Sequence, residues 1–260
     1  MAFNSNQSYR PLSEGYAGFG AASLDQGLRA YMLRVYNWMA SGLVLTGLVA
    51  YAIFAVPALN DLFYTTEQNA YGQLVQVPTV LTYLAIFAPL GFVMVLSFGV
   101  NRLSTTTAQA LFWAFCGAMG ASLSTIFMVY TQTSITEVFF ISAGTFAGTA
   151  LYGYTTRRDL TSLGSFFFMG LIGLILASVV NFFLHSSAVQ FAISVLGVFI
   201  FVGLTAYDSQ RIKADYLQFG ASFGPALAAK RAVYDALQMY LNFINLFMFL
   251  LQLFGQRNNR

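Results

Sequence analysis

The chain alternates long apolar runs with short polar joints. Residues 35–60, 68–101, 103–136, 138–156, 160–207 and 236–256 contain no Asp, Glu, Lys or Arg. At about 1.5 Å of helical rise per residue, these runs approach or exceed the roughly 30 Å of a bilayer core. They are continuously apolar and do not alternate at every second residue, which predicts helices and excludes the strands of a membrane barrel. Seven spans follow, at about 36–56, 79–100, 108–130, 138–154, 163–184, 189–207 and 236–254. Within 160–207 the only polar break near the middle is Asn181-Phe-Phe-Leu-His185-Ser-Ser, and it divides span five from span six. Pro57 closes span one, and residues 58–78 form the longest polar connection between spans. In span four, Gly144 and Gly148 make a small-xxx-small pattern that predicts close contact with another helix.

Composition sharpens this picture. The chain is 58% hydrophobic and carries 12 basic and 9 acidic residues among 260, about a third of the roughly 25% charge usual in globular proteins. Such a chain cannot cover itself in water, which removes the soluble enzyme, the nucleic-acid binder and the disulfide-rich secreted module as classes. Cys116 and His185 are the sole representatives of their types. No intrachain disulfide and no Cys/His metal cluster can therefore form, and Cys116 is expected as buried packing. The first 35 residues lack a short apolar core followed by a small-residue cleavage site, so residues 1–26 read as a polar tail and not a cleaved signal.

Charge placement tests the division into spans independently of hydropathy. Arg10, Arg29 and Arg34 precede span one; Arg102 follows span two; Arg157 and Arg158 follow span four; Arg211, Lys213, Lys230 and Arg231 lie between spans six and seven. The joints after spans one, three and five hold no Lys or Arg, only Asp61, Glu67, Glu137 and His185. Cytoplasmic loops collect basic residues, so the N-terminus is expected in the cytoplasm and, after seven crossings, the C-terminus on the outer side. Arg257 and Arg260 would instead suit a cytoplasmic tail following a re-entrant last segment, and both alternatives stay open at this point.

Polar residues inside apolar helices tend to face the bundle interior or a water-filled cavity. In span seven, Asp235, Gln238, Asn242, Asn245 and Gln252 recur at spacings of three, four, three and seven, a single helical stripe that continues through Phe249. Span six presents a matching face of Gln190, Ser194, Gly197, Phe201, Thr205 and Asp208. Two readings fit: a set of interhelical hydrogen bonds, or the lining of a conduction or proton-relay route. Asp208 can pair with Arg211 at i+3, and Arg211 can meet Asp215 at i+4, a salt bridge at the membrane boundary. Asp208 is also the candidate metal ligand, since a hard cation such as calcium seeks several oxygens and Thr205, Tyr207 and Asn242 lie at hand.

Five segments carry a resemblance to a known family. Leu33-Arg-Val-Tyr-Asn-Trp-Met-Ala-Ser-Gly-Leu43, Phe87-Ala-Pro-Leu-Gly91, Tyr152-Gly-Tyr-Thr-Thr-Arg-Arg-Asp-Leu160, Gly203-Leu-Thr-Ala-Tyr-Asp-Ser-Gln-Arg-Ile212 and Tyr240-Leu-Asn-Phe-Ile-Asn-Leu-Phe247 resemble the Bax inhibitor-1 family, which includes the bacterial YccA-like membrane proteins. The resemblance covers residues 27–256 and sets them apart as one membrane domain, with 257–260 a short tail. It implies an all-α integral membrane protein, a bundle of seven helices with the seventh central and surrounded by the other six. It also implies a cation leak, with calcium the transported ion, gated by a carboxylate pair at the cytoplasmic end of helices six and seven. Asp208 falls at the first of those positions; the second, acidic in the family's Tyr-Leu-Asp-Phe-Ile-Asn form, is Asn242 here.

The leading expectation is a passive cation leak channel or pH-influenced ion-homeostasis protein of the bacterial cytoplasmic (inner) membrane, with Asp208, Asn242, Asp235, Thr205, Asn245 and Gln238 as its pathway or latch. The alternative is a non-conducting regulator of a membrane protease or stress response, acting through a membrane-protein partner. No resident cofactor, nucleic-acid partner or enzymatic activity is expected; the lipid bilayer is the expected surrounding.

Overall fold

A computed structural model describes residues 13–68, 72, 74–99, 102–219 and 224–258. Residues 1–12 of the polar tail, Arg10 among them, and Arg260 lie outside the described residues. The order of elements is α1 (Ser13–Ala55), α2 (Pro57–Phe63), β1 (Tyr64–Gln68), β2 (Leu74–Pro78), α3 (Val80–Gly99), α4 (Thr105–Leu123), α5 (Ile126–Val129), α6 (Gln132–Thr155), α7 (Thr161–Leu184), α8 (Ser187–Phe219) and α9 (Pro225–Phe254). Among the described residues, seven helices are long and apolar enough to cross a membrane. The chain is thus an all-α multi-pass membrane protein, with one small hairpin outside the spans.

Several helices outrun their apolar windows. α1 is helical from Ser13, so residues 13–26 continue into span one without a break. α8 extends three turns past Tyr207, and there Tyr216 packs its ring 5.0 Å from that of Tyr31. Gly27 permits this approach: a Cβ on it would lie 2.6 Å from the Tyr216 hydroxyl. The connection at 58–78 is not plain loop but α2 followed by an antiparallel hairpin, with Tyr64 opposite Pro78 and Gln68 opposite Leu74. Hydropathy misses it because two five-residue strands, one of them polar after Tyr64, are too short to set a clear period. The joint between α7 and α8 is a tight turn through His185, whose φ of 52° is left-handed. Asn181 secures it, accepting from the Ser186 amide at 3.1 Å and donating to Gln190 at 3.1 Å.

α9 is the most buried of the seven spans and α7 the least. α1, α4, α6 and α8 pack directly on α9, whereas α3 is carried chiefly by α4, and α7 by α8. The central position implied by the family resemblance therefore refines to a helix flanked by four neighbours. α7 packs on α8 and stands off from α9, which leaves a groove between α7 and α9.

The small-residue expectation for α6 needs correction. No atom lies within 4 Å of where a Cβ would stand on Gly144 or Gly148, so neither makes a close helix contact. The buried face of α6 instead runs through Ser142, Phe146, Ala150 and Gly153, and a Cβ on Gly153 would fall on the carbonyl of Ala206 in α8. Gly144 and Gly148 lie about 200° around the helix from Ser142 and Phe146, at roughly 100° per residue. Cys116 is fully buried as packing, against Gly42.

The two ends of the bundle differ. At one, Lys213 donates to the Tyr154 carbonyl at 2.7 Å, Gln210 to the Arg158 carbonyl at 2.6 Å, and Thr105 to the Ala226 carbonyl at 3.1 Å. These bonds gather the ends of α4, α6, α8 and α9 into one basic end. Asp159 lies there too, exposed, and hydrogen bonds from the Thr161 amide and hydroxyl hold its carboxyl below the usual carboxylate range. At the opposite end the chain after α9 meets the joint before α6. The Thr131 amide donates to Gln256 at 3.0 Å, the Asn258 amide to Val129 at 2.9 Å, and Tyr130 bridges Arg257. At 30 residues, or about 45 Å, α9 runs the full length of the bundle. That geometry fits seven crossings and not a re-entrant last segment.

Candidate functional site

Asp208 stands on the buried face of α8 and is 3% exposed. One carboxylate oxygen takes Arg211 at 3.0 Å. The other accepts from Asn242 at 2.7 Å and from Gln238 at 3.4 Å, both on α9. The spacings explain the meeting. Arg211 is one turn on from Asp208 along α8, while Gln238 and Asn242 are one turn apart on the α9 stripe, so one carboxylate bridges both rungs.

The ion pair is asymmetric. Asp208 is buried, whereas the Arg211 side chain is 39% exposed. Arg211 also keeps a buried Nε with no hydrogen-bond partner among the described residues. A carboxylate in this setting has surrendered most of its hydration and depends on its neighbours for compensation; removing one partner of a buried pair typically costs about 3–5 kcal/mol.

Beside Asp208 the groove between α7, α8 and α9 opens into a cavity of about 1130 Å³. Asp208, Arg211, Gln238, Asn242 and Asn245 form its polar wall, while α7 contributes an apolar one, including Phe168 and Phe182. Asn245 turns its amide back to the Leu241 carbonyl at 2.8 Å, leaving its carbonyl oxygen as an acceptor. Thr205 is buried and donates to the Phe201 carbonyl one turn back on its own helix. Tyr207 lines the same cavity, its ring lying against Gly164 of α7.

The remaining sequence candidates divide. Asp235 does not join Asp208: it accepts from the Tyr31 hydroxyl of α1 at 2.6 Å, tying α1 to α9. The i+4 pair between Arg211 and Asp215 does not form. Arg211 is taken by Asp208, and Asp215 is held by Arg231 of α9 at 2.7 Å. Sequence spacing counts only partners on the same helix, and here the tertiary partner sits closer. Tyr31 was not singled out by the sequence, though it shares a face with the buried Leu28 and Val35. A second buried polar link was also missed: Thr46 of α1 donates to the Cys116 carbonyl at 2.9 Å and lies 2.7 Å from the Tyr240 hydroxyl.

A further polar cluster occupies the other end of the α8–α9 seam. Gln252 accepts from Gln190 at 2.8 Å and from Ser194 at 2.9 Å. Among the described residues no group of three or more His, Cys, Asp or Glu side chains is placed to hold a metal ion. Any cation at Asp208 would therefore rely on one carboxylate and on neutral oxygens.

These features define a multi-pass helical membrane protein whose central helix carries a polar stripe that meets a buried, ion-paired carboxylate of α8. Residues 28–259 match the family described as Bax1-I, inhibitor of apoptosis-promoting Bax1. An uncharacterised protein of Caulobacter vibrioides is 46% identical over 233 residues, 90% of this chain and 91% of its own length. The inner membrane protein YbhL of Escherichia coli is 42% identical over 231 residues, 89% of this chain and 93% of its own. An uncharacterised membrane protein of Streptococcus pyogenes is 34% identical over 234 residues, 90% of this chain and 96% of its own. The chain belongs to the Bax inhibitor-1 family.

Proposed function

We propose that this protein is a passive cation leak of the bacterial inner membrane, its basic end in the cytoplasm and Asp208 its latch. The observation that carries the reading is a buried carboxylate on the wall of a large cavity, held to Arg211 by a single contact. In this closed arrangement the guanidinium occupies the place of the permeating cation. An ion arriving from the basic end competes with Arg211 for Asp208, and the carbonyl oxygens of Gln238, Asn242 and Asn245 supply neutral ligands along the stripe. Hard cations bind such oxygens, and calcium is the ion the family suggests. No resident cofactor and no enzymatic step enters this reading. The inner-membrane setting rests on the name of the Escherichia coli relative and on the clustering of basic residues at one end.

One observation favours a second reading, a non-conducting regulator of a membrane protease or stress response. Both oxygens of Asp208 are already occupied by Arg211, Asn242 and Gln238, as in a clamp that only braces α8 against α9. Flux separates the two. Liposomes holding the purified protein should pass calcium or potassium faster than empty ones, and Asp208→Ala should abolish most of that excess, since the permeating cation then loses its one carboxylate ligand; Asp208→Asn, which keeps the shape without the charge, should do the same. Equal flux from empty and protein-bearing liposomes would overturn conduction and leave the brace.

A further inference from the structure

The polar seam between α8 and α9 is interrupted once. Toward the basic end it holds Asp208, Gln238, Asn242 and Asn245; toward the opposite end it holds Gln190, Ser194 and Gln252, bonded to one another. Between them, in the seven-residue gap of the α9 stripe, stands Phe249. Its ring stacks on that of Phe201 with centroids 5.9 Å apart and an interplanar angle of 25°. It also lies flat on the backbone of α8 at Gly197, where a Cβ would come within 2.6 Å of the ring. Gly197 and Phe201 occupy the α8 positions between Ser194 and Thr205, so both helices turn apolar at the same level. Asn245 and Gln252 are separated by about 10.5 Å of helix axis, and between them the two rings stand on the wall of the cavity that opens beside Asp208.

We propose that Phe249, stacked on Phe201 and seated on Gly197, is a hydrophobic gate that divides the seam into two separately wetted halves. The inference rests on the conduction reading above. A constriction lined by apolar rings expels water and so blocks an ion that cannot shed its hydration shell. Opening requires only that one ring leave its bed. Gly197 makes that bed shallow, because it puts no side chain beneath the ring. Asp208 then acts as the latch at one end, and Phe249 sets whether the two polar halves communicate.

The test uses the full chain in liposomes with calcium and potassium as probes. Phe249→Ala removes the ring; Phe249→Gln wets the constriction with a polar side chain that continues the row from Asn245 to Gln252; Phe249→Leu keeps it apolar. Flux should rise several-fold in the Ala and Gln variants and stay near wild type in the Leu variant. Ala and Gln variants that match a wild type still faster than empty liposomes would overturn the gate and leave conduction standing. If every protein matches empty liposomes, conduction fails and the gate with it. Thiol labelling reads the same division without flux. Cys116 is the only native cysteine and is fully buried, so Asn245→Cys and Ser194→Cys report alone. Applied from the basic side, an impermeant thiol reagent should reach Asn245→Cys but not Ser194→Cys, and should reach both once Phe249→Gln is added. Reaction at both sites with Phe249 intact would overturn the gate.

Discussion

Asp208 illustrates what a single residue can and cannot reveal. Its ionisable side chain at the end of an apolar run marks it in the sequence, and its i+3 relation to Arg211 predicts a pair that the structure holds at 3.0 Å. The contact with Asn242 is tertiary, joining residues 34 apart. Because Asn242 is neutral, the site here carries one carboxylate where the family form named in the resemblance carries two. Asn242→Asp would set a second carboxylate against the first, and two such groups share a proton and titrate as a pair. The pH–flux curve should then be steeper than wild type across the neutral range. Superimposable curves from folded proteins would mean that these side chains do not face each other in the membrane.

Elements were legible to differing degrees. The α9 stripe could be read from spacing alone, since residues three and four apart share a helical face, and it does face α8 at Asp208 and at Ser194. The contacts of α6 could not. Gly144 and Gly148 have the spacing of a packing motif, yet the partner helix lies on the other face, at Gly153. Small residues permit close approach but do not say where the neighbour is. Gly153→Ala should therefore destabilise the protein by about 1–3 kcal/mol through overpacking at the Ala206 backbone, whereas Gly144→Ala should leave it near wild type. Thermal unfolding midpoints in detergent check the contrast, and equal losses at both positions would contradict the assigned α6–α8 interface. The hairpin at 64–78 went unread for the opposite reason: Tyr64, the Thr pair, Val75 and Val77 suit strands, but nothing in two such short segments fixes which residues pair.

At the scale of the molecule, the basic residues of the joints and the bonds among Tyr154, Arg158, Gln210, Lys213, Thr105 and Ala226 mark the same end of the bundle. Arg257 is the exception, and the structure accounts for it by bridging Tyr130 at the far end. Cysteines introduced at Arg158 and Asn258 should be labelled from opposite faces of a sealed membrane vesicle; labelling from one face would restore the re-entrant alternative. The sequence by itself determined the helical class, the first six spans and the polar stripe, because bilayer thickness and helical periodicity act locally along a chain. Only the tertiary structure decided that the last segment is one continuous helix, which carboxylate meets Asn242, that Asp235 is drawn away by Tyr31, that α7 stands clear of α9, and that Phe249 is seated on Gly197 against Phe201. Those outcomes depend on how helices far apart in sequence are rotated and seated against one another, and no local pattern carries that information.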